Sequence, residues 1–496
     1  MNYSGSKRLI EILSAVKDAA RNGRIDGVAA ELQYETAMLT NKHAHMADTP
    51  YSWGPTEAER DYLYRLKRLY HAVQDVSVQE LPAWLEAEEK DVVRRMPKPK
   101  VAFFTQEFGL WPSFDSIWEN YDGEKVDKEL VFVYYEGEMT PDLAAKKNTE
   151  LTAYIKAGYD PIPSEDYDFS EASPDIVYYM KPYKWRGCSD KFFAAEISKH
   201  TPYTVFSLYC LVIQGGDFIN RFFYGEPAYY YMWKIIGYSR NYVEMFKKHG
   251  FRNAENVVRL GHPKFDSAKD VTSGDKYIRR DWREKIAGRP VILWNTHFSV
   301  GQNIGVGTFF QWKDVMFDYF AKHDDVVLLW RPHPLFWESV KKEPGVDGRE
   351  FDQFVKEMAE QGNIIVDAHG DYRCSFAMSD ALISDATTFL GEYNATGRPV
   401  LYTPKKGGAG VCDEAFIRGL YVAEDQKGIT EFIENTKAGL DPLREERIAA
   451  FIDEFGEDAL NGCVGENVVK YITEEFERDI HDRVAETYRK EEACHA

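Results

Sequence analysis

Two clusters in the second half of the chain carry side chains suited to gripping a phosphate. Leu329-Trp330-Arg331-Pro332-His333-Pro334 follows directly on an apolar run. An arginine offers a planar fork that matches phosphate oxygens, and a histidine can donate to such an oxygen or exchange a proton near neutral pH. The prolines stiffen the loop from which the imidazole would project. In Ala381-Leu382-Ile383-Ser384-Asp385-Ala386-Thr387-Thr388-Phe389-Leu390-Gly391-Glu392 a buried strand runs into the start of a helix. The first N–H groups of a helix are unpaired and carry partial positive charge, so a diphosphate fits there without a metal. The Thr387 and Thr388 hydroxyls would add donors, and Glu392 could accept from a ribose hydroxyl. The same run also works as a plain cap, with Ser384 or Asp385 satisfying the helix end.

Two further clusters lie upstream. Gly261-His262-Pro263-Lys264-Phe265-Asp266 falls where the first half gives way to the second, and Leu293-Trp294-Asn295-Thr296-His297-Phe298 ends an apolar run. Asn295, Thr296 and His297 are placed to face a cleft from a strand end, whereas His262 and His297 would serve equally as hinge or cap residues. Asp324-Asp325 precedes a strand rather than following one, so no convincing acidic metal pair is present and no metal or cofactor is expected.

These clusters need strand ends to hold them. Residues 1–96 carry helical periodicity, in Leu9, Ile12, Leu13 and Val16 and again from Thr56 to Leu85, which predicts a helical hairpin or small bundle. Met96-Pro97-Lys98-Pro99 breaks that pattern. Short apolar runs then alternate with helical stretches: Val101–Phe104, Leu130–Tyr135, Asp175–Tyr179, Tyr203–Leu208 and Val257–Leu260 read as strands, and 141–157 and 228–249 as helices. A second series starts near residue 270, with strands at 291–294, 326–330, 364–366, 381–383 and 400–402. Such alternation predicts parallel sheets covered on both faces. The chain therefore divides into a helical region (1–96), a first Rossmann-like α/β domain (97–270), a second (271–430) and a helical tail (431–496). Ligands of open parallel sheets bind beyond the carboxyl ends of the strands, so two facing halves would enclose a cleft.

Composition narrows the class. Among 496 residues, 61 lysines and arginines against 81 aspartates and glutamates give a net charge of −20. That argues against nucleic acid, whose binding is mainly phosphate neutralisation. Six scattered cysteines without CxxC spacing oppose a disulfide framework and a zinc site. No apolar run approaches the ~20 residues that span a bilayer. The start of the chain lacks a signal-peptide core, and a cytoplasmic protein is expected. Aromatics at 15% can build large cores or stacking sites for bases and sugars.

The order of the four clusters resembles the CDP-glycerol glycerophosphotransferase family, the teichoic-acid polymerases and primases, over about residues 100–420. The family's Gly-Pro-Arg-Asp run is similar to Gly261–Asp266, with lysine in the arginine's place. Its strand followed by Pro-Thr-x-Arg is similar to Trp294–His297. Its Arg/Lys-x-His element resembles Arg331–His333, and its Asp-x-Leu-Ile-Ser/Thr-Asp-Tyr-Ser-Ser run resembles Asp380–Thr388 with Glu392, Ala386 replacing the tyrosine. The resemblance implies a GT-B-like fold. It further implies a transferase that moves a polyol phosphate from a CDP-activated donor to an acceptor hydroxyl in cell-surface polymer synthesis, releasing CMP. Arg331 and His333 would contact the donor diphosphate, Asn295, Thr296 and His297 would line the donor site, Ser384, Thr387 and Thr388 would hold phosphate, and Asp385 or Glu392 would serve the ribose. His333 and His262 are candidates for acid–base work. The family's His-Gly-Thr-Pro element corresponds to Tyr209–Asp217, which has no histidine, so Asp217 is the candidate replacement base. The implied partners are a nucleotide-activated polyol and a glycan or lipid-linked acceptor, with peripheral membrane contact or self-association through residues 1–96 left open. A GT-B glycosyltransferase using a CMP-linked or other nucleotide sugar, and a non-catalytic nucleotide-binding scaffold, remain alternatives.

Overall fold

A computed structural model describes residues 1–49, 53–134, 139–183, 188–213, 215–301, 305–385, 387–406 and 414–489. Four helices open the chain: α1 (Tyr3–Arg21), α2 (Ile25–Asp48), α3 (Glu57–Asp75) and α4 (Leu81–Arg95). Each hides an apolar stripe, such as Leu9, Ile12, Leu13 and Val16 on α1 and Leu66 and Leu69 on α3. Thr56 and Glu59 form a reciprocal capping box at the start of α3. The helical stretch read over 56–85 divides between α3 and α4. Ser77 supplies the break by accepting from the Glu80 N–H and donating to the Glu80 carboxylate.

The first sheet contains β1 (Lys100–Thr105), β2 (Asp127–Phe132), β3 (Pro161–Pro163), β4 (Ile176–Tyr179), β5 (Thr204–Phe206), β6 (Lys234–Gly237) and β7 (Val257–Arg259). All pairs are parallel, in the order β3-β2-β1-β4-β5-β6-β7. The second contains β8 (Val291–Thr296), β9 (Val327–Pro332), β10 (Ile364–Val366), β11 (Ala381–Ser384), β12 (Val400–Tyr402) and β13 (Tyr421–Val422). It too is parallel, in the order β10-β9-β8-β11-β12-β13. Every residue of β8, β9 and β11 is buried, as strands covered on both faces must be. Strand order reverses between β1 and β4 in the first lobe and between β8 and β11 in the second. Those two switch points are where an open α/β sheet takes its ligand.

β6 differs from the helix expected over 228–249. A 3₁₀ turn (Pro227–Tyr231), β6 and a helix (Arg240–His249) replace it, with Ser239 capping that helix by accepting from the Tyr242 N–H. Many of the abundant aromatics are core. Phe103 stacks on Tyr178 at 4.7 Å in the first lobe, and Trp330 stacks on Phe309 at 5.5 Å in the second.

The helical ends are not independent of the lobes. The long C-terminal helix (Val464–Tyr488) returns from the second lobe to pack on α1 and on the helix Asp115–Asn120 of the first. Asp266 receives its first two free N–H groups, from Val464 and Gly465. The N-terminal bundle attaches where strands begin: Asp175, just before β4, accepts from Ser4 N–H and from Lys100 N–H at the head of β1. That edge lies opposite the switch points. No described helix is long and apolar enough to cross a membrane.

Candidate functional site

In the second lobe the three central strands deliver their carboxyl ends to one place. β8 ends at Thr296, its neighbour β9 at Pro332, and its other neighbour β11 at Ser384. The segment after β8 is tied to the segment after β11, because the His297 N–H donates to Asp385 Oδ1 at 2.8 Å. It is tied to the segment after β9 as well, since the His333 N–H donates to the Thr296 carbonyl at 2.9 Å. The two imidazoles lie side by side with centroids 5.6 Å apart, and Phe298 packs against both.

Both rings have a defined tautomer. His333 Nδ1 accepts from the Leu335 N–H, and His297 Nδ1 accepts from the Ser299 N–H while facing the Ser299 hydroxyl. Each ring therefore carries its proton on Nε2, and neither Nε2 has a protein partner among the described residues. Burial, aided by the neighbouring Arg331 charge, pushes the His333 pKa down to about 4. Burial and the adjacent His333 push that of His297 down to about 3. At neutral pH the pair presents two uncharged N–H donors beside the start of the helix Thr387–Asn394.

The polar residues around these rings are mostly turned inward. Asn295 donates from Nδ2 to the Arg331 carbonyl, and its Oδ1 accepts from the Ser384 hydroxyl, so its side chain joins all three strands. Thr296 Oγ1 accepts from the Trp330 indole. Asp385, 1% exposed, accepts from the N–H groups of His297 and Thr308 and from the Thr308 hydroxyl. Burial lifts its pKa to about 6 against those hydrogen bonds. Asn295, Thr296, Ser384 and Asp385, expected from the sequence at the ligand, thus bond to one another and to the loops around them.

Arg331 is engaged in the same way. The residue is 5% exposed, and its guanidinium pairs with the fully buried Asp367 carboxylate and donates to the His369 and Gly370 carbonyls. It braces the loop after β10 rather than offering a free phosphate fork. Glu392, placed by sequence at a ribose, pairs with Lys264 Nζ at 2.9 Å, both side chains being at most 5% exposed. Thr388 donates its hydroxyl to the Leu211 carbonyl of the first lobe. Gly391, one turn along, makes this approach feasible, for a Cβ there would stand 2.6 Å from Leu211 Cδ1. Ala386 and the Thr387 side chain lie outside the described residues.

His262, a candidate for acid–base work from the sequence, has both ring nitrogens engaged. It is 1% exposed, donates from Nε2 to the Leu208 carbonyl at 2.7 Å and accepts at Nδ1 from the Lys264 N–H. Burial and the Lys264 charge push its pKa down to about 3. It is a rivet in the crossover. Asp217 is exposed in the first turn of the helix Asp217–Tyr224, where its charge complements the helix dipole.

Sequence reasoning did not single out the groups at the first lobe's switch point. Gln106 and Glu107 follow β1 directly, and Lys181 follows β4 by two residues. Lys181 Nζ binds the Gln106 amide oxygen and Glu107 Oε2, the latter at 2.7 Å, closing the switch point from side to side. The signal available was their position immediately after apolar runs. Among the described residues no cluster of three His, Cys, Asp or Glu side chains could hold a metal ion.

The two lobes touch along this seam. Arg373 of the second lobe pairs with Asp115 of the first at 2.5 Å. Lys264–Glu392 and Thr388–Leu211 add two more links.

Comparison of the sequence with protein-family profiles gives no match. Comparison with curated proteins gives none either. Solved structures do match. A structure described as a UDP-N-acetylglucosamine 2-epimerase from Listeria monocytogenes is 13% identical with a TM-score of 0.51, over 77% of this chain and 98% of that one. Another UDP-N-acetylglucosamine 2-epimerase gives 13% identity and a TM-score of 0.50, over 76% and 97%. The wall teichoic acid polymerase TagF gives 16% identity and a TM-score of 0.48, over 81% and 99%. The two epimerase likenesses, with the paired parallel sheets, show a GT-B-like α/β fold.

Proposed function

We propose that the chain is a transferase that moves a polyol phosphate from a CDP-activated donor to an acceptor hydroxyl during cell-surface polymer synthesis, releasing CMP. The observation that carries this reading is the pair of neutral Nε2–H donors, His297 and His333, beside a helix start at the second lobe's switch point. Anionic phosphate oxygens are acceptors without protons of their own, and two N–H donors with a helix dipole complement them. A bound diphosphate would also favour protonation of both imidazoles, adding charge as the leaving group forms.

Transfer to a hydroxyl calls mainly for alignment and for stabilisation of charge on the transferring and leaving phosphates. Donors fixed by Asp385, Asn295 and Thr296 meet that need, because the loops holding them are set before the ligand arrives. We expect the reaction to need no divalent metal.

A thermal-shift panel of CDP-glycerol, CDP-ribitol, CMP-sugars and UDP-sugars tests the reading. It is followed by mass analysis of products with an alkyl glycoside acceptor, with and without EDTA. CDP-polyols should stabilise the protein most, and CMP should appear in EDTA. Selective stabilisation by a nucleotide sugar would make the chain a glycosyltransferase instead. A strict magnesium requirement would give the phosphates another partner.

A further inference from the structure

We propose that Glu107 is the general base that activates the acceptor hydroxyl, held in place by Lys181; this rests on the transferase reading above. The position comes first. Glu107 lies just beyond β1 at the point where strand order reverses in the first sheet. Lys181 reaches it from beyond β4, across the crevice. The two partners differ in exposure: the lysine side chain is 8% exposed and the glutamate 32%. The carboxylate is thus the member turned to solvent. Only its Oε2 meets Lys181, and Oε1 has no protein partner among the described residues.

The backbone beneath it is fixed from several sides. The Glu107 carbonyl accepts from the Tyr154 hydroxyl and from the Leu110 N–H. The next N–H, of Phe108, donates to Glu150 Oε2 at 2.8 Å. A free carboxylate oxygen on a backbone held this way is preorganised for proton abstraction, because little motion is left to freeze out in the transition state.

Glu107 also borders the seam. Two residues on, Gly109 runs so close to the second lobe that a Cβ there would lie 3.4 Å from the Gly370 carbonyl oxygen. Gly370 belongs to the loop that Arg331 braces at the end of β9. The acceptor-side carboxylate and the loop after β10 that Arg331 holds therefore share one interlobe boundary. Asp217, the other carboxylate weighed for this role, has no cation holding it among the described residues and is exposed at a helix start.

The acceptor O–H gives its proton to Glu107 Oε1. The acceptor oxygen's electron pair forms a bond to the donor's β-phosphorus, the one that bears the polyol. The bond from that phosphorus to the bridging oxygen breaks, and CMP leaves with the electron pair on its phosphate oxygen. Glu107 then returns the proton to water. Lys181 is a positioning residue that holds the carboxylate in its orientation.

The test uses the full-length protein with CDP-glycerol and an alkyl glycoside acceptor. Glu107→Gln should lower CMP release by at least ~100-fold, the scale of a general base, while CDP-glycerol raises the melting temperature as it does for wild type. Formate should restore part of the rate to Glu107→Ala, which a merely structural carboxylate would not allow. Should Glu107→Gln misfold because Lys181 loses its carboxylate partner, the double variant Glu107→Gln/Lys181→Met removes the lysine charge as well and should show the same rate loss. A single or double variant within threefold of wild type, or Glu107→Ala unresponsive to formate, overturns the assignment while leaving the transferase reading intact. A wild-type protein that releases no CMP from any CDP-polyol overturns both.

Discussion

The two switch points are built on opposite principles. In the second lobe the strand ends carry many polar side chains, and nearly all of them bond to one another: Asn295 to Arg331 and Ser384, Asp385 to His297 and Thr308, Arg331 to Asp367. Two imidazole edges are what the lattice leaves over. Among the described residues of the first lobe the strand ends carry fewer polar groups, Lys181 bridges two of them, and a carboxylate oxygen of Glu107 stays open. The difference teaches that a motif rich in phosphate-friendly residues can be mostly scaffold. Buried polar groups must be paired, so a dense polar cluster consumes its own members, while a sparse one leaves a group free.

The comparison breaks most visibly at Arg331. Removing one partner of a buried ion pair strands the other charge, at a cost of about 3–5 kcal/mol. Asp367 is fully buried, and although burial pushes its carboxyl up, the Arg331 charge and three further hydrogen bonds hold it below the usual range. Arg331→Met should therefore lower stability to urea by that amount. A loss under 1 kcal/mol, with donor affinity abolished, would return Arg331 to the phosphate. His333→Ala tests the leftover group. Its side chain makes one local bond, to the Leu335 N–H, so stability should change little. Transfer should fall at least ~100-fold, about 2.7 kcal/mol of transition-state binding.

How much of this was legible in the sequence follows from the range of the interactions. Strands β1, β4, β8, β9 and β11 announced themselves as apolar runs, and the clusters after β8, β9 and β11 were correctly placed at strand ends. β6 was hidden because Tyr229, Met232, Ile235 and Ile236 fall at helical spacing, and β3 because two prolines, tolerated on an edge strand, mask it. Whether a polar side chain is free was not legible at all. The partners that consume Arg331, Asp385 and Glu392 lie 36, 77 and 128 residues away along the chain. Glu107 was missed for the converse reason: one carboxylate after a strand has no pattern until Lys181 stands opposite it.

His262 sharpens the contrast through pH. Its folded pKa of about 3 is depressed from an unfolded value near 6.5, so the stabilising contribution is complete above 6.5 and is lost as pH falls toward 3. At pH 5 the loss from this residue relative to pH 7 is about 2 kcal/mol. His262→Asn should flatten the urea stability profile between pH 7 and 5 by that amount. An unchanged slope would mean that the ring is protonated in the fold and free to act.

Thr388 is the smallest and most discriminating case, because one hydroxyl is claimed by two accounts. The geometry spends it on the Leu211 carbonyl at 3.3 Å, a single neutral hydrogen bond between lobes. Such a bond contributes about 1 kcal/mol net, so Thr388→Val should cost about that much. The isosteric methyl keeps the helix packed, and the helix N–H groups, being backbone, are untouched. Donor affinity should then stay within threefold of wild type. If instead stability holds while CDP-glycerol binding weakens tenfold or more, the hydroxyl belongs to the phosphate, and the second lobe spares more of its polar groups for ligand than its internal bonding indicates.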